Sequence, residues 1–151
     1  MTKIHHFVGF VLNCHRPLPS DLPTRRKLKT LTIPIAPELH QAGVKFMMVK
    51  DKNLFDIQFE NGILKIPQVG IRGSTEIFFR NLIAYEQCEL HDHYINNYVF
   101  VMDRLIDSAR DVELLVKSGI LESMLPDSEA AAEFINSLAH GRVYLKLNKS
   151  D

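Results

Sequence analysis

Cys88, His91 and His93 form a C-x-x-H-x-H cluster. A thiolate with two imidazoles is a fair start on a zinc site, but a structural zinc normally takes four ligands. No second pair stands at suitable spacing, and His5 and His6 complete the set only through a long-range fold. No metal is therefore expected, with Cys88 read as a buried helix residue and the two histidines as decoration on an exposed loop. Gly70, Ile71, Arg72 and Gly73 are superficially like the GXXG loop with which some nucleic-acid binders clamp a backbone. That loop joins two helices, whereas this one follows a strand ending in Pro67, so it reads as a flexible glycine turn feeding a helix. Asp103 and Asp107 lie one helical turn apart and are spaced to act together as carboxylates. Arg104 and Arg110 are near enough to pair with them instead, which makes a solvated helix face. Glu86 reads as a polar contact that positions its own helix, with Arg80 as the example partner. Phe78, Phe79 and Tyr85 read as core aromatics rather than a ligand box. There is no G-x-S-x-G elbow, no Walker-type phosphate loop and no dinucleotide fingerprint, so no catalytic residue and no cofactor is expected.

The elements that must position these residues are legible from periodicity. Residues 1–12 hold a short apolar segment, helix or strand, followed by a linker carrying Pro17, Pro19 and Pro23. Arg25, Arg26, Lys27 and Lys29 form a basic run, read as a solvated linker in preference to a nuclear-import or phosphate-binding patch. A short helix opens at Pro37 and stops at Gly43. Val44, Phe46 and Met48 alternate as a strand, Asp51, Lys52 and Asn53 make a turn, and Phe55, Ile57 and Phe59 alternate again. Asn61-Gly62 is the strongest hairpin signal, because a type I′ turn needs positive backbone angles at both central residues. Ile63, Leu64 and Ile66 return, and Pro67 ends that strand. Ser74 or Thr75 caps a helix running to Cys88. Ile95, Tyr98, Val99, Met102, Leu105 and Ile106 recur at helical spacing in the next one. Ser108 with Asp111 has the form of a capping box for a third, which Gly119 ends. Pro126, Asp127 and Ser128 open a fourth, with Ala131, Phe134, Ile135 and Leu138 facing inward and Gly141 closing it. Val143 to Leu147 alternate like a strand.

The 151 residues suffice for one domain with a real core, and 46% hydrophobic with 24% charged residues argues against a disordered chain. A net charge of zero gives no overall attraction to nucleic acid or to an anionic membrane. Two distant cysteines without a secretory leader read as reduced thiols, and no window reaches the roughly 20 apolar residues of a membrane span. A soluble, cytoplasmic chain is the expectation.

Several blocks carry more than pattern. AGVKF at 42–46, FDIQFENGILKIP at 55–67 and TEIFFRNLIAYEQC at 75–88 resemble the plant "domain of unknown function 247" family. YINNYVFVMDRLI at 94–106, DVELLVKSGIL at 111–121 and the helix after Pro126 fit the same order and spacing. The likeness covers the family's central region, from about Thr32 to about Leu138, and the FRNLIAYEQC block is its most specific part. Family proteins are usually longer, begin with a further N-terminal third, and end in a hydrophobic, membrane-attaching segment. The resemblance therefore implies a truncated relative, with membrane contact only through a C-terminal segment that this chain lacks. The loop before the FRN helix is usually acidic in the family, whereas here it is Ile71, Arg72 and Gly73. Grass members are linked to pollen–stigma self-incompatibility, which implies recognition rather than catalysis, and the family offers no catalytic residues to carry over.

The expected fold class is α+β: a small antiparallel β-hairpin sheet packed on a bundle of about four helices. The expected organisation is an N-terminal segment with linker at 1–30, the domain at 31–141 and a tail at 142–151. The leading functional expectation is a non-enzymatic recognition or scaffold module with a protein partner and no nucleic acid. The competing readings are an enzyme with an unrecognised site, a nucleic-acid module using the loop from Gly70 to Gly73, and a degenerate fragment.

Overall fold

The computed structural model describes Val11, Cys14 and residues 34–50, 53–89 and 94–146. The proline linker, the basic run, His5, His6, His91, His93, Asp51, Lys52 and Leu147 lie outside the described residues. Val11 and Cys14 are helical, and Val11 packs against the core. Helix α1 (Ala36–Gln41) starts with Pro37 in its first turn, where the missing N–H costs nothing. It ends as the N–H groups of Ala42 and Gly43 donate to the carbonyls of Glu38 and His40.

Three strands follow: β1 (Lys45–Val49), β2 (Gln58–Glu60) and β3 (Ile63–Pro67). The hairpin between β2 and β3 is antiparallel, with Phe59 opposite Leu64. Its turn has φ of 51° at Asn61 and 75° at Gly62, as a type I′ connection requires. The first strand departs from expectation. β1 runs parallel to β3, from Lys45 beside Ile63 to Val49 beside Pro67, so the sheet is mixed, in the order β1-β3-β2. Alternation of side chains reports which face of a strand is buried; it carries no information about partner or direction. The second apolar alternation is also shorter in strand than its spacing suggests. Phe55 and Ile57 are half-buried loop residues against the core, while Phe59 on the outer strand is 64% exposed.

A second, two-stranded sheet was not expected from the sequence. β4 (Val69–Ile71) pairs in parallel with β5 (Leu121–Ser123), Val69 beside Leu121 and Ile71 beside Ser123. The N–H of Val69 donates to the Ile120 carbonyl at 2.9 Å, and that of Met124 to the Ile71 carbonyl at 2.9 Å. The chain between them forms α2 (Thr75–Glu89), α3 (Tyr94–Leu105) and α4 (Ala109–Lys117), and α5 (Ser128–Lys146) follows. These four longer helices match the expected bundle. Helix α5 runs through Gly141 and on to Lys146, so Gly141 does not close it and residues 143–146 are helix, not strand. One interior glycine costs a helix about 1 kcal/mol relative to alanine, which a helix of 19 residues can carry.

The core lies between the two sheets and the bundle. Ile66 of β3, Ile71 of β4, Leu82 of α2, Ile95 and Leu105 of α3 and Leu115 of α4 are all buried within it. The inward positions expected for α3 are all buried, because their spacing places them on one stripe of the helix. Side chains near in sequence cap the starts of α4 and α5. Asp111 Oδ2 accepts from the N–H groups of Asp107 and Ser108, each at 2.8 Å, and Asp127 Oδ1 accepts from the N–H of Ala130 at 2.8 Å. Gly119 ends α4 at φ 74°, with Ile120 N–H donating to the Leu115 carbonyl. A methyl group added there meets only Met48, at ordinary van der Waals distance. Gly119→Ala is therefore expected to lose about 1–2 kcal/mol through backbone strain alone, read as a lower urea midpoint with an unchanged slope.

Candidate functional site

Three features gather around α2, and each places residues that the sequence singled out. The first is a carboxylate clamp. Glu86 projects inward from the last turn of α2 and is fully buried. Its Oε2 accepts from the N–H of Ile95 at 2.8 Å, and its Oε1 from the N–H and the Nδ2 of Asn96 at 3.1 and 3.0 Å. Gln87 Nε2 donates to Asn96 Oδ1 at 3.3 Å beside it. The first N–H groups of a helix have no partner inside it, and its dipole favours negative charge at that end. Glu86 supplies both needs for α3, and so ties the start of α3 to the end of α2. A positioning role for Glu86 was expected, but Arg80 is not the partner. The Arg80 Nε donates to Glu76 Oε1 at 2.8 Å, one turn back on the exposed side of α2.

The second feature is an aromatic cluster. Tyr98 of α3 meets Phe55 edge-on, with ring centroids 5.1 Å apart, and lies parallel to Phe79 of α2 at 6.1 Å. Phe79 in turn meets Phe55 and Phe78 edge-on at 6.3 and 5.6 Å. Phe78 and Tyr85 are half-buried against the same core, so the reading of these aromatics as packing holds. The Tyr98 hydroxyl is buried with no hydrogen-bond partner among the described residues. Burial pushes this phenol well above its ordinary pKa, because the phenolate would have no water around it. The group stays neutral, a donor with no acceptor.

The third feature is the segment from Gly70 to Gly73. Gly70 and Ile71 belong to β4 and the turn falls on Gly73 and Ser74, so the flexible-turn reading is corrected: half of the motif is paired strand. Thr75 locks the junction. Its hydroxyl donates to the Gly70 carbonyl at 3.2 Å and accepts from the N–H of Arg72 at 2.9 Å. Beside this junction lies a groove of about 400 Å³ walled by Leu54, Gly70, Ser74, Thr75, Phe78 and Phe79. Behind it a smaller, wholly apolar cavity of about 20 Å³ is walled by residues that include Ile71, Phe79, Tyr98, Met102 and Leu138. Val69 and Phe79 line both.

The remaining candidates do not converge. Cys88 is exposed, which corrects its expected burial. It shares a stripe of α2 with Ile77, Asn81 and Ala84, all exposed, while Phe79, Leu82, Ile83 and Glu86 occupy the buried stripe. Among the described residues no group of three His, Cys, Asp or Glu side chains is placed to hold a metal. Asp107 is exposed, its N–H held by Asp111, and the Arg104 guanidinium sits 5.4 Å from the Phe100 ring centre. Neither Asp103 nor Asp107 lines the groove or the cavity.

The profile of a family described as "Plant protein of unknown function", DUF247, matches residues 1–150. The chain belongs to this DUF247 family. The match reaches beyond the central region in which the resemblance was read. A putative UPF0481 protein of Arabidopsis thaliana is 33% identical over 122 residues, covering 79% of this chain and 23% of that protein. The chain thus spans about a quarter of the length of that relative. No solved structure matches the DUF247 chain. Among its described residues, no helix is long and apolar enough to cross a membrane.

Proposed function

We propose that this DUF247 domain is a non-enzymatic recognition or scaffold module that binds a protein partner through the outer strand β2. The observation that carries this reading is Phe59, which stands 64% exposed in the middle of an edge strand. An edge strand presents unpaired backbone groups to another chain, and an exposed aromatic beside them is a natural anchor. The polar groups that the fold buries support the same reading. Glu86 and Asp111 are committed to holding helix starts, so these acids serve the frame rather than a reaction.

The test is affinity capture from plant tissue, with the wild-type chain and a Phe59→Lys variant as baits. A specific protein partner recovered by the wild type is expected to fall at least about tenfold with the variant, whose melting temperature stays within about 2 °C because Phe59 is exposed. Equal recovery with both baits, or no partner for a folded bait, removes the β2 reading.

A further inference from the structure

The open edge of β2 complements a copy of itself. Among the described residues no strand lies beyond it. The N–H of Lys45 donates to the Gly62 carbonyl at 2.9 Å. Backbone groups along β3 point alternately to either side, so those of Leu64 also face β1 and those of Ile63 and Lys65 face β2. Phe59 stands opposite Leu64, so its own N–H and C=O point away from β3, out of the edge. Its side chain shares a sheet face with Leu64, which is buried, yet Phe59 itself is mostly exposed. The hairpin thus carries an apolar face one strand beyond the core that covers it.

We propose that this edge pairs with the same strand of a second copy of the chain, antiparallel about a two-fold axis at Phe59. The proposal rests on the β2 reading above and names the partner. In that register the two Phe59 residues exchange both backbone hydrogen bonds, and their rings lie side by side on the face that each chain leaves uncovered. On the other face Gln58 comes opposite Glu60 of the second copy, an amide donor against a carboxylate, and the symmetry repeats the pair. Gln58 Nε2 gives up its contacts of 3.1 and 3.0 Å with the Asp56 carboxylate, which are exposed and local. Charge selects the register. A shift of two residues in either direction sets Glu60 against its own copy or against Asp56, acid facing acid. In the register at Phe59 the two Glu60 side chains are only diagonal neighbours, and each keeps its Lys65 partner at 3.1 Å. The pairing joins two three-stranded sheets into one.

The test is sedimentation velocity of the full chain from about 10 to 500 μM, because an interface built on so short a strand is weak. A concentration-dependent monomer–dimer equilibrium is expected, with the exchange of the Phe59 amide proton slowing as dimer forms. Gln58→Glu is the deciding variant. Within its own chain the new acid faces Lys65, so the melting temperature should not fall. Across the axis it faces Glu60, and the dimer dissociation constant is expected to rise about three- to tenfold, less at high salt. Phe59→Lys is expected to raise it at least about tenfold. A chain that stays monomeric throughout overturns the proposal; if capture from plant tissue still depends on Phe59, the β2 reading stands with another protein as partner. A dimer that either substitution leaves unchanged uses another surface or register, and overturns the proposal as well.

Discussion

Glu86→Ala is expected to lower the unfolding free energy by about 2–5 kcal/mol. The substitution removes the acceptor of three donors at once: the N–H groups of Ile95 and Asn96 and the Asn96 side-chain amide. Ile95 is fully buried and Asn96 nearly so, which keeps these donors from exchanging the carboxylate for bulk water. Each buried donor left alone costs about 1–3 kcal/mol, and the small space left by the side chain offers partial relief by admitting a water. Glu86→Gln is the sharper variant. Both carboxylate oxygens accept in the native structure, so an amide must turn its NH2 group towards a backbone N–H. A loss of about 1–3 kcal/mol is expected there, with almost no change in volume. Urea denaturation measures both. Amide hydrogen exchange should show the protection of Ile95 and Asn96 falling first, as α3 frays from its start. If Glu86→Ala shifts stability by less than about 0.5 kcal/mol, the clamp is not what holds α3 against the end of α2.

Phe79→Ala is expected to cost about 3–5 kcal/mol, as truncation of a buried aromatic does. Phe79 is 3% exposed and touches Phe55, Phe78 and Tyr98, so its ring joins the loop after β1 to both α2 and α3. A domain of this size has about 5–15 kcal/mol in total, and the variant takes a large share of it. Removing the ring also merges the groove with the inner cavity, since Phe79 lines both. Two readouts therefore belong together: a lower urea midpoint, and changed aromatic shifts of Tyr98, whose ring loses its parallel neighbour. Phe79→Leu keeps most of the volume and should lose clearly less. Equal losses for Ala and Leu would mean that ring geometry, rather than filled volume, carries the stability of the cluster.

Much of this architecture is local and could be read without coordinates. Asn61 and Gly62 demanded a tight hairpin because few other residue pairs take positive φ at both positions. The stripe from Ile95 to Ile106 demanded a buried helix face, and Ser108 with Asp111 demanded a helix start. Each of these signals acts within a few residues, so the chemistry that writes it into the sequence is the chemistry that builds it. The specific block at 75–88 marked the kinship that the match over residues 1–150 shows. Cys88 was legible too, had its position been set against the stripe of Ile77, Asn81 and Ala84 rather than against the usual burial of cysteine.

Other features were decided only by the tertiary structure. Nothing in Lys45–Val49 says that its neighbour is β3 in parallel, because strand direction is a property of the pair. Val69–Ile71 becomes a strand only when Leu121–Ser123 arrives beside it from the far side of three helices. Glu86 reads alone as one more acid on a helix, open to pairing with Arg80. Its assignment to the start of α3 depends on how two helices meet, which sets the backbone N–H groups where the carboxylate ends. The unpartnered hydroxyl of Tyr98 is of the same kind: sequence placed the ring in the core, and only packing determined that no acceptor among the described residues came with it.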